Sequence, residues 1–165
     1  MTDQAPVISV ASAPPTPRPS LVRATWRGEH LFDSGKPDGP VARIDGSGQT
    51  AQTPPDALLS ALATCSGIDV VDILAKRRTP VEQMTIDVRA ARRTEQPRRF
   101  EHIVLMFRVD GARIERVHAE RAVQLAFEKY CTVAASLGSD IVVETIVVLN
   151  GVDGTAVRQP MYGAT

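Results

Sequence analysis

The densest run of apolar residues lies between Pro54 and Leu74, PPDALLSALATCSGIDVVDIL, and it follows the spacing of an α-helix. Leu58, Leu62 and Cys65 fall on one stripe of that helix, and further apolar residues widen the stripe until little polar face remains. Such a helix must be covered on most sides, and a single sheet of about five strands covers only one. The pattern therefore predicts a buried central helix with a partner subunit against its second face, which means a homodimer.

Local signals mark both ends of this helix. Thr53 is a suitable N-cap, Pro54 suits the first helical position, and Asp56 can complete a capping box with Thr53. The basic run KRR at residues 76–78 complements the helix dipole at the C-terminus, and Pro80 follows as a stop. We expect the helix to begin at Pro54 and to end in this basic run.

Segments rich in β-branched residues predict the strands. LVRATWRGEHLF and VARID indicate an N-terminal strand pair, MTIDVRAAR and HIVLMFRVDG a long hairpin, and IVVETIVVLNG a closing strand. Before the closing strand, ARIERVHAERAVQLAFEKY has one apolar face, and CTVAASLGS begins a separate short helix. The order is β-β-α-β-β-α-α-β, which is typical of an α+β fold.

Composition divides the chain into one domain and two flanking segments. Residues 1–19 are rich in Pro, Ala, Ser and Thr, which predicts a disordered leader. Residues 20–150 contain the predicted elements, and a hydrophobic fraction of 43% over 165 residues is enough for one core. Residues 151–165 are predicted to form a loose C-terminal tail.

The charge balance argues against several classes of partner. Nineteen basic and nineteen acidic side chains give no net field that would attract nucleic acid or an anionic membrane. The basic run at positions 89–99 is interleaved with Asp87, Glu95 and Glu101 and has few aromatic residues, which favours a solvated loop over a nucleic-acid site. His30, His102 and His118 lack the spacing of a zinc site, so no metal is expected. The acidic start and the absence of about 18 consecutive apolar residues predict a cytoplasmic protein without a membrane span.

The two cysteines are the candidates for chemistry. In a reducing cytoplasm a permanent disulfide is disfavoured, so Cys65 and Cys131 are either unrelated buried thiols or a pair that forms a transient, catalytic disulfide. Cys131 follows the predicted helix break, where the dipole of the next helix can lower the pKa of a thiol.

The sequences around the cysteines, LLSALATCSGIDVVDIL and EKYCTVAASL, resemble those of the OsmC/Ohr family of osmotically inducible and organic-hydroperoxide-resistance proteins. The hairpin RRTEQPRRFEHIVLMFRVDG, the element order and the 66-residue separation of the cysteines are also similar, and the likeness spans most of the ordered chain. It looks nearest to the YhfA-type branch of the family. The resemblance implies an OsmC/Ohr-like fold, an intertwined homodimer in which a long central helix is backed by a curved antiparallel sheet.

The resemblance also implies an activity. The family reduces organic or inorganic hydroperoxides in oxidative-stress defence, at two-cysteine sites on the subunit interface, without a metal or a bound cofactor. By this resemblance Cys65 is the peroxidatic thiol, Cys131 is the resolving thiol, and an external lipoyl-type dithiol returns the electrons. The expected substrate is a small or lipid-like hydroperoxide.

Two further site residues follow from the same resemblance. In the family, an arginine from the N-terminal strands activates the first thiol and is held by a carboxylate near the start of the cysteine helix. Asp56 stands where OsmC-like members usually have Glu, and Arg27 is the candidate arginine, with Arg23 and Arg43 as alternatives.

Blander interpretations stay open. Asp56 also serves as a helix cap, and Arg27 also fits a solvated charge at a strand end. The segment ATWRGEHLFDSG does not reproduce the arginine loop of the family, so a non-enzymatic ligand-binding or redox-responsive protein is the alternative function. A purely structural role for both cysteines is the third hypothesis.

Overall fold

The computed structural model describes residues 19–162, so all but the last residue of the predicted leader lies outside the described residues. In chain order the elements are β1 (Arg23–Trp26), β2 (Leu31–Gly35), β3 (Val41–Asp45), α1 (Pro54–Lys76), β4 (Gln83–Arg92), β5 (Phe100–Asp110), α2 (Arg116–Leu125), a π-helical turn (Ala126–Tyr130), α3 (Thr132–Ala135), β6 (Val142–Leu149) and β7 (Val157–Arg158). This is the predicted α+β order with two additional strands, β2 and β7.

Helix α1 has the predicted cap. The backbone N–H of Asp56 donates to the Thr53 hydroxyl at 3.3 Å, and the Thr53 backbone N–H donates to the Asp56 carboxylate at 3.2 Å. These reciprocal bonds satisfy two donors that the first turn of a helix otherwise leaves unpaired. The helix ends at Lys76, two residues beyond Leu74 and within the predicted basic run.

The larger sheet has the order β4-β5-β6-β7. Strands β4 and β5 form the predicted antiparallel hairpin, but β5 and β6 run parallel, so the expectation of an antiparallel sheet was wrong. The physical reason is the connection, because α2 and α3 carry the chain back to the opposite end of the sheet before β6 begins.

The segment after Gly151 is not a loose tail over its described length. β7 pairs with β6, and Gln159 and Met161 are buried. Two ladder positions and one buried methionine are enough to fix this segment, although its sequence has no strand-like run.

The N-terminal strands form a separate sheet of three strands, β1-β2-β3, instead of the predicted pair. β2 was missed because LFDSG is short, polar and ends in glycine, and β-propensity is weak in such a segment. Trp26 and Val41 on this small sheet are 63% and 57% exposed. A three-stranded sheet with its apolar residues in solvent lacks the hydrophobic cover that normally stabilises one.

The core lies between the larger sheet and the helices. Ile103, Leu105, Phe107 and Val109 alternate along β5 and are all buried, as a strand with one face on the core requires. Leu62, Val70 and Leu74 supply the buried stripe of α1 and belong to the same cluster. At Gly67 the helix approaches β4 so closely that a Cβ atom would lie 2.8 Å from the Ile86 side chain.

One face of α1 has no cover in the single chain. Ile68 is 62% exposed, and Leu58 and Val71 are also exposed. Beside them is a shallow depression of about 570 Å³, which we call the α1 groove; its lining consists of Ser60, Ala63, Thr64, Gly67, Ile68, Val71, Asp72, Met84 and Ile86. By its length and composition alone, α1 could cross a membrane, but the core helix of a globular protein meets the same criteria.

The capping box yields a stability prediction. Replacing Thr53 by Ala removes one side of the box, and we expect the free energy of unfolding of the full chain to fall by about 1 kcal/mol. Urea denaturation at one fixed protein concentration measures the change. Thr155, an exposed threonine outside the helices, is the matched control, and Thr155→Ala should change the value by less than about 0.5 kcal/mol. Equal values for the two variants would contradict a stabilising cap.

Candidate active site

The two cysteines lie together. Cys65 is half-buried in the middle of α1, and Cys131 is 1% exposed at the N-terminus of α3. Their sulfur atoms and a carboxylate oxygen of Asp69 all lie within 4.8 Å of one another. Residues far apart in the sequence thus form one cluster, which we call the thiol–carboxylate cluster.

The break between α2 and α3 places Cys131 in this cluster. The π-helical turn ends where the Cys131 backbone N–H donates to the Ala126 carbonyl oxygen at 2.8 Å, and Cys131 then adopts an extended conformation as the N-cap of α3. The backbone N–H of Ala134 donates to the Cys131 sulfur at 3.4 Å. The predicted helix break is therefore confirmed, and it turns the thiol inward toward α1.

The electrostatics of Cys131 differ from the expectation of a thiol activated by a helix dipole. Burial raises the pKa of Cys131 to about 12, the hydrogen bond from Ala134 opposes this only in part, and the nearby Cys65 and Asp69 raise it further. The helix α3 has only four residues, and its one hydrogen bond to the sulfur does not compensate for removing the thiolate from water. Cys131 is thus a protonated thiol at neutral pH.

Asp69 is the site residue that the sequence analysis missed. Burial and the neighbouring Asp72 raise the pKa of its carboxyl group. Its Oδ2 atom is buried and has no hydrogen-bond partner among residues 19–162. The signal was present in the sequence, since Asp69 follows Cys65 by four residues and side chains at this spacing share one face of a helix.

The candidate arginines lie elsewhere in the single chain. Arg27 and Arg43 both pair with Asp33 on the small N-terminal sheet, at 2.8 and 2.9 Å, and the two guanidinium groups hold the pKa of the Asp33 carboxyl below its usual range. Arg23 lies on β1 of the same sheet. In the part of the chain that the structure describes, no arginine is hydrogen-bonded to either sulfur. Activation of Cys65 by an arginine remains a prediction that involves the second subunit.

Asp56 serves as the capping residue of α1. Hydrogen bonds from the Thr53 side chain and backbone hold the pKa of its carboxyl below the usual range. It lies nine residues before Cys65, which is about 13 Å along the helix axis. Within one subunit Asp56 therefore does not reach the thiol, and its catalytic role also stays a prediction.

A cavity adjoins the cluster. It has a volume of about 480 Å³ and shares Asp69 with the thiol–carboxylate cluster; its other lining residues are Asp72, Ile73, Lys76, Arg77, His118, Arg121, Ala122, Leu125 and Tyr130. We call it the basic cavity, because three of these side chains are cationic. Two of its charges are engaged locally, since Arg77 is 2.6 Å from His118 Nε2 and Arg121 pairs with Glu128.

The cluster suits thiol chemistry. Two sulfurs and one carboxylate fall short of the four protein ligands of a closed structural zinc site, and none of the described histidines joins them. Two thiols at this separation, one of them accessible, are the parts that a reversible disulfide needs.

The sequence and the fold are similar to those of known proteins. The sequence model of the OsmC-like protein family matches residues 46–146. Protein YhfA of Escherichia coli K12 is 40% identical over 116 residues, which cover 70% of this chain and 87% of YhfA. A hypothetical protein from Aquifex aeolicus has a similar structure, with a TM-score of 0.71 and 27% identity over 79% of this chain and 95% of its own. The organic hydroperoxide resistance protein OhrB of Bacillus subtilis shares the fold, with a TM-score of 0.52 and 19% identity over 79% of this chain and 98% of its own.

The expected family and the OsmC/Ohr fold are confirmed by these matches. The chain belongs to the OsmC-like protein family.

Proposed function

We propose that the protein is a thiol-dependent reductase of organic or inorganic hydroperoxides that acts through Cys65 and Cys131. The observation that carries the proposal is the approach of the two sulfurs to within 4.8 Å, although 66 residues separate them in the sequence. Unrelated core thiols have no reason to meet at a helix break.

The exposures of the two thiols fit the two roles. The half-buried Cys65 is open to a peroxide, whereas Cys131 is buried behind it. The Cys65 thiolate attacks the terminal peroxide oxygen, the O–O bond breaks, and the alcohol leaves with a proton. Cys65 is then a sulfenic acid, which condenses with the Cys131 thiol to give a disulfide and water. An external dithiol of the lipoyl type reduces the disulfide, and no bound cofactor takes part.

Closure of the disulfide requires a small movement. The sulfurs must approach to about 2.05 Å. Cys65 is the more exposed of the two cysteines, so its side chain is the one expected to move. The apolar surroundings of Cys65 on α1 suit a small or lipid-like hydroperoxide.

A homodimer with the active site at its interface completes the proposal. The α1 groove and the exposed apolar residues of the small sheet are two uncovered surfaces in one chain. Mutual burial of these surfaces between two copies removes both from water. Two arginines, Arg27 and Arg43, share the single carboxylate of Asp33, so this group has one more positive than negative charge and one guanidinium can be offered to Cys65 of a second copy. The dimer is where Arg27 and Asp56 acquire their catalytic roles.

A second candidate function is a redox-responsive or ligand-binding protein that forms the disulfide but turns over poorly. The observation in its favour is that no arginine contacts Cys65 within the described part of one subunit. Both candidate functions propose a cytoplasmic protein whose thiols are kept reduced. The two functions differ in sustained turnover.

Turnover decides between them. With cumene hydroperoxide and dihydrolipoamide, we expect sustained peroxide consumption by the wild type and its loss in Cys65→Ser, because no thiolate is left to attack. Without dihydrolipoamide, Cys131→Ser should consume about one equivalent of peroxide and stop at the sulfenic acid. Peroxide loss is followed by a ferrous–xylenol orange assay. One equivalent consumed by the wild type without further turnover would favour the redox-responsive function.

The dimer is tested with a matched pair of substitutions. Ile68 in the α1 groove and Val117 on α2 are 62% and 63% exposed in the single chain. Ile68→Arg places a charge in the proposed interface, so it should shift the protein toward the monomer by at least about tenfold in dissociation constant. Val117→Arg should leave the dimer intact. Analytical ultracentrifugation at micromolar concentration measures both, and a monomeric wild type of 17.8 kDa would contradict the proposal.

A further inference from the structure

Formation of the disulfide presents a proton problem at Cys131. This thiol is 1% exposed, and burial raises its pKa to about 12. A protonated thiol is a poor nucleophile, because the thiolate is the form that attacks. The proton must leave through the protein, because the sulfur itself does not meet solvent.

Asp69 is the group positioned to receive that proton. A carboxylate oxygen lies within 4.8 Å of both sulfurs, and the buried Oδ2 atom has no partner among the described residues. A buried carboxylate oxygen without a hydrogen bond is costly, and a site normally keeps one only where it is used. Helix α1 fixes the position, since Asp69 lies one turn after Cys65 in the best-capped helix of the chain.

Asp69 also connects the cluster to water. It is a lining residue of the basic cavity, and a carboxylate oxygen of the same side chain lies within 4.8 Å of both sulfurs. The titratable and charged groups that share this cavity are Asp72 and Lys76 on α1, Arg77 at its C-cap, His118 and Arg121 on α2, and Tyr130. None of these is part of the thiol–carboxylate cluster, so Asp69 alone borders both compartments.

We propose that Asp69 is the proton-transfer residue of the disulfide-forming step: its carboxylate takes the proton of the Cys131 thiol and delivers it to the hydroxide that leaves the Cys65 sulfenic acid. The role rests on the proposed function and adds to it a catalytic residue.

The step balances. The S–H bond of Cys131 breaks, its electron pair forms the S–S bond, and the S–O bond of the sulfenic acid breaks. The sulfur of Cys131 is oxidised and the sulfenic sulfur of Cys65 is reduced by the same amount. The leaving hydroxide takes the proton from Asp69 and becomes water, so Asp69 returns to the carboxylate and no further oxidant is needed.

The experiment separates the two chemical steps. The reduced full-length protein receives one equivalent of cumene hydroperoxide; dimedone traps the sulfenic acid, and mass spectrometry of peptides quantifies the trapped product and the disulfide against time. In Asp69→Asn we expect peroxide to be consumed while the Cys65 sulfenic acid accumulates. Disulfide formation should slow by about 10²- to 10⁴-fold, the usual contribution of a general base.

Three companion variants control for changes in packing. Asp69→Ser removes the carboxylate in a different way and should give the same partition. Asp69→Glu keeps the carboxylate and should recover part of the rate. Asp87 is an exposed residue of β4 whose carboxylate pairs with Arg108 of β5. Asp87→Asn should form the disulfide at the wild-type rate.

The pH dependence distinguishes proton transfer from a displaced sulfur. In Asp69→Asn, disulfide formation should accelerate by about tenfold per pH unit between pH 7 and 10, because Cys131 then ionises unaided. A rate that stays slow at every pH would show a positional defect and overturn the proposal, as would an Asp69→Asn variant with the wild-type rate. If the wild type forms neither sulfenic acid nor disulfide, the proposed function itself is refuted. That result differs from a failure of the Asp69 proposal, in which the wild type still forms the disulfide.

Discussion

The need to cover an almost wholly apolar helix governs this structure. Helix α1 buries Leu62, Val70 and Leu74 in the core with the larger sheet and helices α2 and α3, yet it leaves Ile68 in solvent. The buried face creates the site, since Cys65 and Asp69 meet Cys131 there. The uncovered face is the proposed contact with a second subunit. One helix thus sets both the chemistry and the proposed assembly.

Burial also disfavours the thiolate form of Cys131. The environment that protects Cys131 from solvent also raises its pKa, so the proposed resolving thiol lies close to Cys65 but is held in the protonated form. A nearby cation would stabilise the thiolate, but Arg27 and Arg43 of the small sheet pair with Asp33 instead. A neighbouring group that accepts the thiol proton during the reaction is another means of forming the thiolate, and this is the role proposed for Asp69, whose Oδ2 atom has no hydrogen-bond partner among the described residues.

Much of the fold followed from local signals in the sequence. Thr53 and Asp56 marked the start of α1, and Gly138 with the poor helix formers Thr132 and Val133 marked a separate α3. The parallel pairing of β5 with β6 could not be read in this way, because a strand has the same pattern in either direction and only the path of the connection decides. The short strands β2 and β7 depend on their neighbours for pairing, so their own residues gave no signal.

The site, like the fold, was predictable only where the signal was local in the sequence. The two cysteines stood out by their number and settings, whereas Asp69 looked like one polar residue in an apolar helix. Its importance depends on Cys131 arriving from a distant segment, and on the loss of solvent that leaves Oδ2 without a partner. Arg27 and Asp56 were placed by family resemblance, and their geometry within one chain is that of an ion pair and a helix cap.

The most direct test of this account is the intact mass of the reduced protein after one equivalent of hydroperoxide, followed by peptide mapping without a reductant. The account predicts the loss of two hydrogen atoms per chain and a peptide that joins Cys65 to Cys131. A chain that keeps both thiols free, or that gains oxygen at Cys65 and never forms the bond to Cys131, would contradict it.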